Sequence, residues 1–261
     1  MVVFPRAKIN IGLHITNKRS DGYHDLETLF FPTSVTDILE IVESGKTSIN
    51  LYGKKFDGDP SQNICIKAYN LLKDKFKLPP VEISLYKKIP VGAGLGGGSS
   101  DGAHTLIVLN RLFNLYLTTE QLQEFALILG SDVPLFVFQQ LLDCKMGEAI
   151  YATGRGELMS KMVIEDLRGC DIEVVTPPIF VSTATAYSLV KPNNSRVALK
   201  ELLNQPIKEW KNIIKNDFEQ PIFDRYPLIK EYKEKMYEKG AIYASMSGSG
   251  SSVFGIFPPK N

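Results

Sequence analysis

A glycine-rich run between Gly92 and Gly98 constrains the fold of this chain more than any other segment. Five of its seven residues are glycine (GAGLGGG), and a helix-like pattern follows. Glycine has no Cβ and adopts positive φ readily, so such a run lets the backbone approach a ligand closely. Loop amides and the positive end of the following helix dipole together form a site for phosphate oxygens. The alternative is a tight turn without a ligand, although a bare turn rarely needs more than one or two glycines.

Two known motifs overlap this run, and each is disfavoured for a different reason. The spacing G-x-G-x-x-G starts at Gly92, but no acidic residue ends a following strand about 20 residues on, as dinucleotide binding requires. Residues 98–102 match the G-x-S-x-G elbow of serine hydrolases, yet the only histidine after Ser100 is His104, one helical turn away. The chain has no Walker loop and none of the H-R-D and D-F-G motifs of protein kinases.

Strand patterns precede the glycine run. Apolar and polar residues alternate over 8–15, which predicts a strand with one apolar and one polar face. The polar run 17–22 predicts a turn, and extended chain resumes over 23–31. Ser61 is predicted to cap a helix that ends near Phe76, and residues 81–85 form a strand that leads into the run.

Helix signals dominate the segment after the run. A helix is predicted to end near Phe113, and Thr118 with Gln121 forms a capping box for a second helix that Gly130 ends. Residues 131–134 (SDVP) are predicted to break that helix, and residues 135–138 to form an apolar strand.

The remaining elements are bounded by proline and glycine signals. They are a strand at 171–175, a helix that opens at Ser182 or Thr183, a helix between Pro227 and Gly240, and strands at 241–246 and 253–257. Residues 147–157 (GEAIYATGRGE) are predicted as a connection, and the domain boundary is placed there. The predicted domains are residues 1–155 and 156–261.

Composition excludes several functional classes. A net charge of +1 gives no electrostatic argument for a nucleic-acid or membrane partner, and no 18-residue apolar window predicts a membrane helix. The first residues (MVVFPR) lack the pattern of a secretory signal. Cys65, Cys144 and Cys170 are widely spaced, without a C-x-x-C pair, which argues against a disulfide framework or a thiolate metal site. We therefore expect a cytoplasmic protein whose cysteines are buried small side chains.

Three segments resemble the motifs of the GHMP kinases, a superfamily of small-molecule kinases. Residues 90–103 (PVGAGLGGGSSDGA) resemble its ATP loop, residues 7–10 (AKIN) its first motif, and residues 246–254 (MSGSGSSVF) its last. The resemblance covers nearly the whole chain. It implies a two-lobed α+β fold, with an N-terminal lobe like domain 2 of ribosomal protein S5 and a ferredoxin-like C-terminal lobe. Residues 1–155 would then be the ATP-binding and catalytic lobe, and residues 156–261 the substrate lobe.

The first motif is similar to one branch of this superfamily, the 4-diphosphocytidyl-2-C-methyl-D-erythritol kinases. The similar segment is residues 5–30 (PRAKINIGLHITNKRSDGYHDLETLF). Residues 130–137 resemble the branch's G-A-D-V-P segment, with Ser131 where alanine is usual, and the last motif reads S-G-S-G-S-S where S-G-S-G-P-T is frequent. The resemblance implies ATP-dependent phosphorylation of the substrate's 2-hydroxyl in the non-mevalonate isoprenoid pathway, with ATP as co-substrate and Mg²⁺.

Catalytic roles follow from the resemblance, because the residues alone leave them open. Asp132 by itself is equally a turn residue or a group that orients or deprotonates a hydroxyl. The polar face that carries Lys8 and Asn10 is by spacing alone a solvated face. The resemblance implies that Asp132 is the catalytic carboxylate, that Lys8 is its partner, and that Asn10 faces the substrate.

The resemblance also implies the binding residues. Tyr23 and His24 match a pair that binds cytosine, and Tyr187 is the candidate for the opposite ring, although a tyrosine at this position also suits a core edge. Thr185 and Gly248 are further substrate candidates. The predicted ATP contacts are Pro90, Val91, Gly92, Ala93, Gly94, Leu95, Gly96, Gly97, Gly98, Ser99, Ser100 and Asn63. No protein metal site is expected, since His14 and His104 lack metal-ligand spacing.

Two alternatives stay open. A GHMP kinase that acts on mevalonate or homoserine would share the loop, but its substrate has no cytosine for the Tyr23–His24 pair to bind. A nucleotide-binding pseudoenzyme would keep the loop and lose the catalytic pair. We expect a cytidine diphosphate compound as the small-molecule partner, and a monomer or weak homodimer.

Overall fold

The computed structural model describes residues 1–54, 59–142 and 146–259. Its strands are β1 (Val2–Val3), β2 (Arg6–Lys18), β3 (His24–Thr36), β4 (Ile38–Glu43), β5 (Ser48–Gly53), β6 (Val81–Lys87), β7 (Glu148–Thr153), β8 (Leu158–Val163), β9 (Asp171–Val175), β10 (Tyr243–Met246) and β11 (Val253–Phe257). Its α-helices are α1 (Ile64–Phe76), α2 (Gly97–Leu112), α3 (Thr119–Leu129), α4 (Val133–Gln139), α5 (Thr183–Leu189), α6 (Leu199–Leu203), α7 (Trp210–Ile213), α8 (Glu219–Arg225) and α9 (Pro227–Glu238).

The chain forms two compact units that interleave along the sequence. The first unit comprises Met1–Ala7, Ser34–Val91 and Gly96–Leu141, and the second comprises Lys8–Thr33, Gly92–Leu95 and the chain from Leu142 onward. This division differs from the predicted boundary after residue 155. The reason is that β3 pairs with β7, with Leu29 opposite Tyr151, so early strands share a sheet with residues that follow the first unit.

The first unit is a four-stranded sheet with helices packed on it. The strand order is β1-β4-β6-β5, in which β5 runs parallel to β6 and the other neighbours are antiparallel. Alternate residues of β4 and β6 are buried, and Ile41 lies opposite Ile83 in the register. Helix α2 packs against α1, α3, α4 and β4, so the helix that follows the glycine run is central to this unit.

The second unit contains two sheets. Their strand orders are β2-β3-β7-β8 and β10-β11-β9, and α9 packs on β10 and β11. A hydrophobic core joins β2 to the C-terminal elements through Leu13, Ile15, Phe218 and Met246. A parallel bridge between Leu13 and Asn216 makes the same connection through the backbone.

Several predicted elements are confirmed. The capping box of Thr118 and Gln121 is present at α3, Ser182 caps α5, and the strands β9, β10 and β11 lie within a few residues of their predicted positions. None of the helices in the described ranges is long and apolar enough to cross a membrane. Among the cysteines, Cys65 is buried and Cys170 is only half-buried, while Cys144 lies outside the described residues.

Four local predictions are wrong. Residues 135–138 belong to helix α4, because Pro134 lies in its first turn, where the missing N–H has no helical partner to lose. The segment 147–157 contains strand β7 and is no loose connection, since β7 pairs on both sides. Helix α1 is capped by Asn63, whose side chain accepts from the amide of Cys65 at 2.9 Å, and not by Ser61.

The fourth concerns the polar face of β2, which is not solvated. Lys8, Asn10 and His14 are 4%, 2% and 2% exposed, so both faces of the strand are buried. The alternation of apolar and polar residues shows that the two faces of a strand differ in chemistry, but it does not show whether either face is exposed to solvent. Buried polar groups need partners, and this face therefore carries the hydrogen-bond network described below.

Candidate functional site

Most glycines of the run are required by the fold, either for a left-handed backbone or for close packing. Gly92, Gly94 and Gly96 have φ of 67°, 77° and 70°, a left-handed conformation that side chains other than glycine rarely adopt. A Cβ at Gly94 would lie 2.0 Å from the carbonyl oxygen of Ser247, and one at Gly97 would lie 2.7 Å from Cγ2 of Ile89. At these positions the absence of a side chain serves the fold itself.

Gly98 differs from its neighbours. A Cβ at Gly98 would meet nothing within 4 Å, its φ is ordinary, and the residue is exposed. Neither backbone conformation nor internal packing therefore explains a glycine here. The open space above Gly98, in the first turn of α2, is where a ligand would approach the backbone.

The carbonyl groups of the loop are held by two distant segments. The amide of Lys8 donates to the Leu95 oxygen at 3.0 Å, and the amide of Ser252 donates to the Ala93 oxygen at 3.2 Å. The oxygen of Gly94 accepts from Nζ of Lys8 at 2.8 Å and from the Ser247 hydroxyl at 2.9 Å. All three motif segments thus meet within the second unit at residues 93–95.

The other predicted loop residues flank these contacts. Pro90 is half-buried and Val91 is exposed, while Ala93 and Leu95 are buried against the protein. Phe180, an exposed aromatic residue, lies against Gly92, where a Cβ would be 2.8 Å from its ring. No sequence signal singles out Phe180, because its contact is with residues far away in the chain.

Helix α2 begins without a side-chain cap. Its N-cap residue is Gly96, and the first turn contains Gly97, Gly98 and Ser99. The first amides of a helix have no intrahelical acceptor, so an uncapped N-terminus of a 16-residue helix presents donors and a positive dipole end. Ser99 is half-buried, with its hydroxyl in this first turn.

Ser100 is fully buried in the same helix. Its hydroxyl lies 3.5 Å from Nδ1 of His104, and that nitrogen lies 2.8 Å from the Ser100 carbonyl oxygen. Burial lowers the pKa of His104, and the charges of Arg111 and Arg6 act in the same direction. A fully buried hydroxyl does not form the exposed nucleophile of a hydrolase elbow, which agrees with the exclusion made from the sequence.

A buried ionic cluster ties together the two ends of the glycine run within the first unit. Nζ of Lys87 contacts a carboxylate oxygen of Asp37 and lies 2.6 Å from Oδ2 of Asp101, on α2. The other oxygen of Asp37 accepts from the amides of Lys88 and Ile89 at 2.5 and 2.9 Å. The strand end before the run and the helix after it are therefore held by the same charges.

The charge balance of this cluster favours the protonated form of Asp101. Two carboxylates face one ammonium group, and Oδ1 of Asp101 has no hydrogen-bond partner among the described residues, whereas Asp37 accepts from two backbone amides. Burial raises the pKa of Asp101 to about 8; the charge of Lys87 opposes this shift and that of Asp37 adds to it. Protonation of Asp101 leaves the cluster without excess charge in the interior.

Asp132 lies exposed at the start of α4. It occupies the N-cap position with φ −90° and ψ −8°, yet its side chain makes no capping hydrogen bond, and the hydroxyl of Ser131 lies 3.5 Å from Oδ1. The alternative to a catalytic role for Asp132 is that its carboxylate only stabilises a turn. Without a cap bond, its charge remains available at the surface of the first unit.

Lys8 and Asn10 form a hydrogen-bond chain in the second unit. Nζ of Lys8 donates to Oδ1 of Asn10 at 2.6 Å and lies 5.4 Å from the centre of the Phe30 ring. Nδ2 of Asn10 donates to the Thr28 hydroxyl at 2.9 Å. A Cβ at Gly248 would lie 3.4 Å from Oδ1 of Asn10, so this predicted substrate residue adjoins the same network.

The predicted cytosine residues are only partly brought together. The rings of His24 and Tyr187 are 5.0 Å apart at an interplanar angle of 34°, and Tyr187 packs edge-on against Phe218 at 4.9 Å. Tyr23 is 59% exposed, and the Arg155 guanidinium lies 5.0 Å from its ring centre. Burial lowers the pKa of His24, and the charge of Lys18 acts in the same direction, so its imidazole is neutral near pH 7.

Two predicted binding residues have their side chains engaged within the fold. The hydroxyl of Thr185 lies 2.7 Å from that of Ser182 in the cap of α5. Asn63 is buried and caps α1. In contrast, the Thr183 hydroxyl lies 3.3 Å from that of Ser249 in the last motif, a contact that the sequence did not indicate.

Comparisons with known proteins identify the family to which the chain belongs. The model of the GHMP kinases N terminal domain matches residues 63–140, and that of the GHMP kinases C terminal matches residues 198–261. A 4-diphosphocytidyl-2-C-methyl-D-erythritol kinase from Bacteroides fragilis is 48% identical over 264 residues, covering 100% of this chain and 93% of the relative. A kinase of the same name from Cytophaga hutchinsonii is 44% identical over 260 residues, covering 100% of this chain and 93% of the relative.

One solved structure resembles this chain in both sequence and fold, and a second resembles it in fold. A crystal structure of 4-(cytidine 5'-diphospho)-2C-methyl-D-erythritol kinase has a TM-score of 0.80 and 32% identity, covering 98% of this chain and 90% of that one. The phosphomevalonate kinase of Streptococcus pneumoniae has a TM-score of 0.66 and 16% identity, covering 98% of this chain and 91% of that one. The second likeness is one of fold alone.

Proposed function

Because the chain belongs to the 4-diphosphocytidyl-2-C-methyl-D-erythritol kinase family of GHMP kinases, we propose that it phosphorylates the 2-hydroxyl of 4-diphosphocytidyl-2-C-methyl-D-erythritol with ATP. This step belongs to the non-mevalonate route to isoprenoids. The structural observation that supports the proposal is a pair of hydrogen bonds. The Gly94 carbonyl accepts from both Lys8 and Ser247, so the three family motifs meet at one point. A cytoplasmic location and a monomeric or weakly dimeric state remain predictions from the sequence.

The glycine run binds the phosphates of ATP in this proposal. The loop carbonyls at 93–95 are already engaged, and the uncapped start of α2 offers amide donors next to the open position at Gly98. Amides and a helix dipole together neutralise phosphate charge without a Walker lysine. The proposed nucleotide contacts are residues 90–100, with Asn63 acting through the start of α1.

Mg²⁺ fits this chain as an ion that arrives with the nucleotide. Among the described residues, no group of three or more histidine, cysteine, aspartate or glutamate side chains could hold a metal ion. Such an ion usually keeps several waters and takes one or two protein oxygens along with substrate phosphates. The Ser99 hydroxyl in the first turn of α2 is the donor that suits it, and the ion would supply charge neutralisation for the transferred group.

Asp132 and Lys8 are the proposed catalytic residues. Phosphoryl transfer depends on positioning and electrostatic stabilisation, with a carboxylate that orients or deprotonates the attacking hydroxyl. The exposed carboxylate of Asp132, free of a capping bond, suits that role. The buried ammonium of Lys8, fixed by Asn10 and Gly94, suits the stabilisation of negative charge on the transferring group.

The cytidine end is proposed to bind at the aromatic residues of the second unit. Tyr23 offers an exposed ring, and the neutral imidazole of His24 offers both a donor and an acceptor for a base edge. Tyr187, beside His24, supplies a second ring face. Thr183 replaces Thr185 as the better candidate on α5, because its hydroxyl lies against the last motif.

A panel of acceptor alcohols tests the proposed function. The purified chain with ATP and Mg²⁺ is offered the cytidyl compound, mevalonate, homoserine and galactose, and ADP release is followed together with the ³¹P spectrum of the product. We expect turnover of the cytidyl compound and a new phosphomonoester signal, with little reaction of the other alcohols. Turnover of mevalonate at comparable efficiency without the cytidyl compound would contradict the assignment, and ATP binding without any turnover would indicate a pseudoenzyme.

A further inference from the structure

The hydrogen-bond chain that starts at Lys8 runs through Asn10 and Thr28 to the carbonyl of Gly12, and we propose that Thr28 is a positioning residue for the transfer step. It fixes the amide of Asn10 and, through that amide, the ammonium group of Lys8. No family motif considered above assigns a role to Thr28, which lies in the middle of β3. The inference rests on the proposed function, because it presumes that Lys8 stabilises the transferred phosphoryl group.

The direction of the chain follows from the chemistry of one hydroxyl. Oγ1 of Thr28 lies 2.7 Å from the carbonyl oxygen of Gly12, which only accepts, so the single hydroxyl proton is directed there. Oγ1 then offers only lone pairs to Asn10. The amide group 2.9 Å away must therefore be the NH₂ of Asn10.

The same argument fixes the other end of the amide. With its NH₂ toward Thr28, Asn10 presents Oδ1 to Nζ of Lys8 at 2.6 Å. The reversed amide would place an NH₂ against an ammonium and an oxygen against lone pairs, two repulsive contacts at once. Thr28 therefore selects the one amide orientation that attracts Lys8.

Burial and backbone geometry make this chain rigid. Thr28 is 0% exposed, and low local polarity strengthens hydrogen bonds while raising the cost of any that is lost. Gly12, which supplies the final acceptor, has φ of 67°, and a Cβ there would lie 2.7 Å from Leu199 and 2.9 Å from Ile214. The carbonyl of Gly12 thus has a direction that packing enforces.

Loss of the Thr28 hydroxyl is expected to affect rate more than binding. In a Thr28→Val variant the shape is kept, but Asn10 can rotate and Lys8 loses a fixed acceptor. Small displacements of a charge-stabilising group cost up to about 100-fold in rate. The loop keeps its bonds to the amides of Lys8 and Ser252 and to the Ser247 hydroxyl, so binding should change much less than rate.

The experiment measures kcat and KM of the purified protein for both substrates. We expect Thr28→Val to lower kcat about 10- to 100-fold with both KM values within about twofold, and Thr28→Ser to recover most of the rate. Thr33→Val, another buried threonine of the same strand, is the matched control and should keep near-normal kcat. When Thr28→Val is added to Lys8→Met, kcat should fall little further, because both substitutions act through the ammonium group of Lys8.

Three results would overturn the inference. They are a folded Thr28→Val with normal kcat, a Thr28→Ser as slow as Thr28→Val, or full additivity with Lys8→Met. If Thr28→Val fails to fold, Thr28→Ala replaces it. In addition, NMR on the wild type tests the hydrogen-bond chain directly, because the side-chain amide protons of Asn10 should exchange slowly with solvent. Fast exchange would contradict it. Failure of the proposed function is separate, because it shows as no turnover by the wild type or as full activity in Lys8→Met.

Discussion

Nζ of Lys8 lies 2.8 Å from the carbonyl oxygen of Gly94, which is 86 residues away in the sequence. The same nitrogen is held by Asn10, so the side chain proposed to stabilise the transferred group also fixes the loop proposed to bind phosphate. A change at either residue therefore alters both functions. Experiments that separate binding from chemistry therefore rely on positions outside this contact, such as Asp132 and Gly98.

Replacement of Asp132 by asparagine should lower kcat by about 10²–10⁴-fold and leave binding of ATP and acceptor nearly unchanged. The amide keeps the shape of the carboxylate but removes its charge and basicity. Because Asp132 is exposed and caps nothing, the melting temperature should also be unchanged. Steady-state kinetics and calorimetric binding check both parts.

Lys8→Met and a surface variant complete this experiment. Lys8→Met should also reduce kcat, and the double variant should lose much less than the product of the two losses if the residues act as a unit. Asp74→Asn, an exposed aspartate on α1, should behave like the wild type. Near-normal kcat in Asp132→Asn would leave Asp132 as an ordinary turn residue.

Gly98→Ala should raise the KM for ATP while the fold keeps its stability. The added methyl group meets nothing within 4 Å in the protein, so any loss reports on a ligand that approaches the backbone. Gly45→Ala, equally open, is the control and should change neither quantity. Normal ATP affinity in Gly98→Ala, measured by calorimetry, would mean that phosphate does not approach this turn.

Gly94→Ala and Gly97→Ala should instead lower stability. The first places a methyl group on the Ser247 carbonyl in a left-handed conformation, and the second places one against Ile89. Urea denaturation should show a lower free energy of unfolding for both, whatever their activity. Equal stability of the Gly94, Gly97 and Gly98 variants would contradict the division of roles within the run.

Tyr23→Ala should weaken binding of the cytidyl substrate by roughly 1–3 kcal/mol, the typical contribution of a ring stacked on a base. ATP affinity should barely change, because the ring is exposed in the second unit and far in sequence from the glycine run. Tyr52→Ala removes a ring of similar exposure from β5 and serves as the control. Equal losses for both ligands would point to unfolding.

The stability of the protein should fall between about pH 6.5 and pH 4 because of His14. Burial lowers the pKa of His14 to about 4, the charge of Arg196 lowers it further, and Asp217 opposes the shift. Below the ordinary pKa of 6.5 the unfolded chain binds a proton that the folded chain excludes, so folding is penalised as pH falls. The contribution lost by pH 4 is about 3 kcal/mol.

His14→Gln removes this titration. Urea denaturation at several pH values should show that the difference in free energy of unfolding between wild type and variant shrinks as pH falls through this window. A constant difference from pH 7 to pH 4 would mean that His14 has the same pKa in the folded and the unfolded protein.

Lys87→Met should destabilise the protein by about 3–5 kcal/mol, the typical cost of leaving a buried charge without its partner. Asp37 and Asp101 would then face each other without a cation. Asp101→Asn should cost less, because Asp101 already carries a proton near neutral pH. Denaturation by urea checks the order, and a larger loss in Asp101→Asn would contradict the assigned protonation.

Local signals predicted the elements whose stabilising contacts are local. The capping box at Thr118 and the cap at Ser182 involve residues three positions apart, and both are present. The strand predicted over residues 135–138 was wrong because a short apolar run fits either element, and only the position of Pro134 in a first turn separates them. The family and the two-lobed fold were predicted correctly because three motifs lie in a fixed order.

The parts of the site that the sequence did not reveal depend on distant partners. Thr28 interacts with Gly12 and Asn10, and Thr183 with Ser249. Each is an ordinary threonine in its local context. The buried state of Lys8 was missed for the same reason, since alternation along β2 cannot show which elements cover its polar face.

The bond between the amide of Ser252 and the oxygen of Ala93 has a consequence for synthesis on the ribosome. Translation runs from the N-terminus, so strand β2 and the glycine run emerge well before Ser247 and Ser252, which hold Gly94 and Ala93. A nascent chain released before Ser247 would have the glycine run without two of its anchors. The phosphate loop therefore gains these two anchors only after residues 247–252 have been made, and a stop codon before Ser247 would remove both of them.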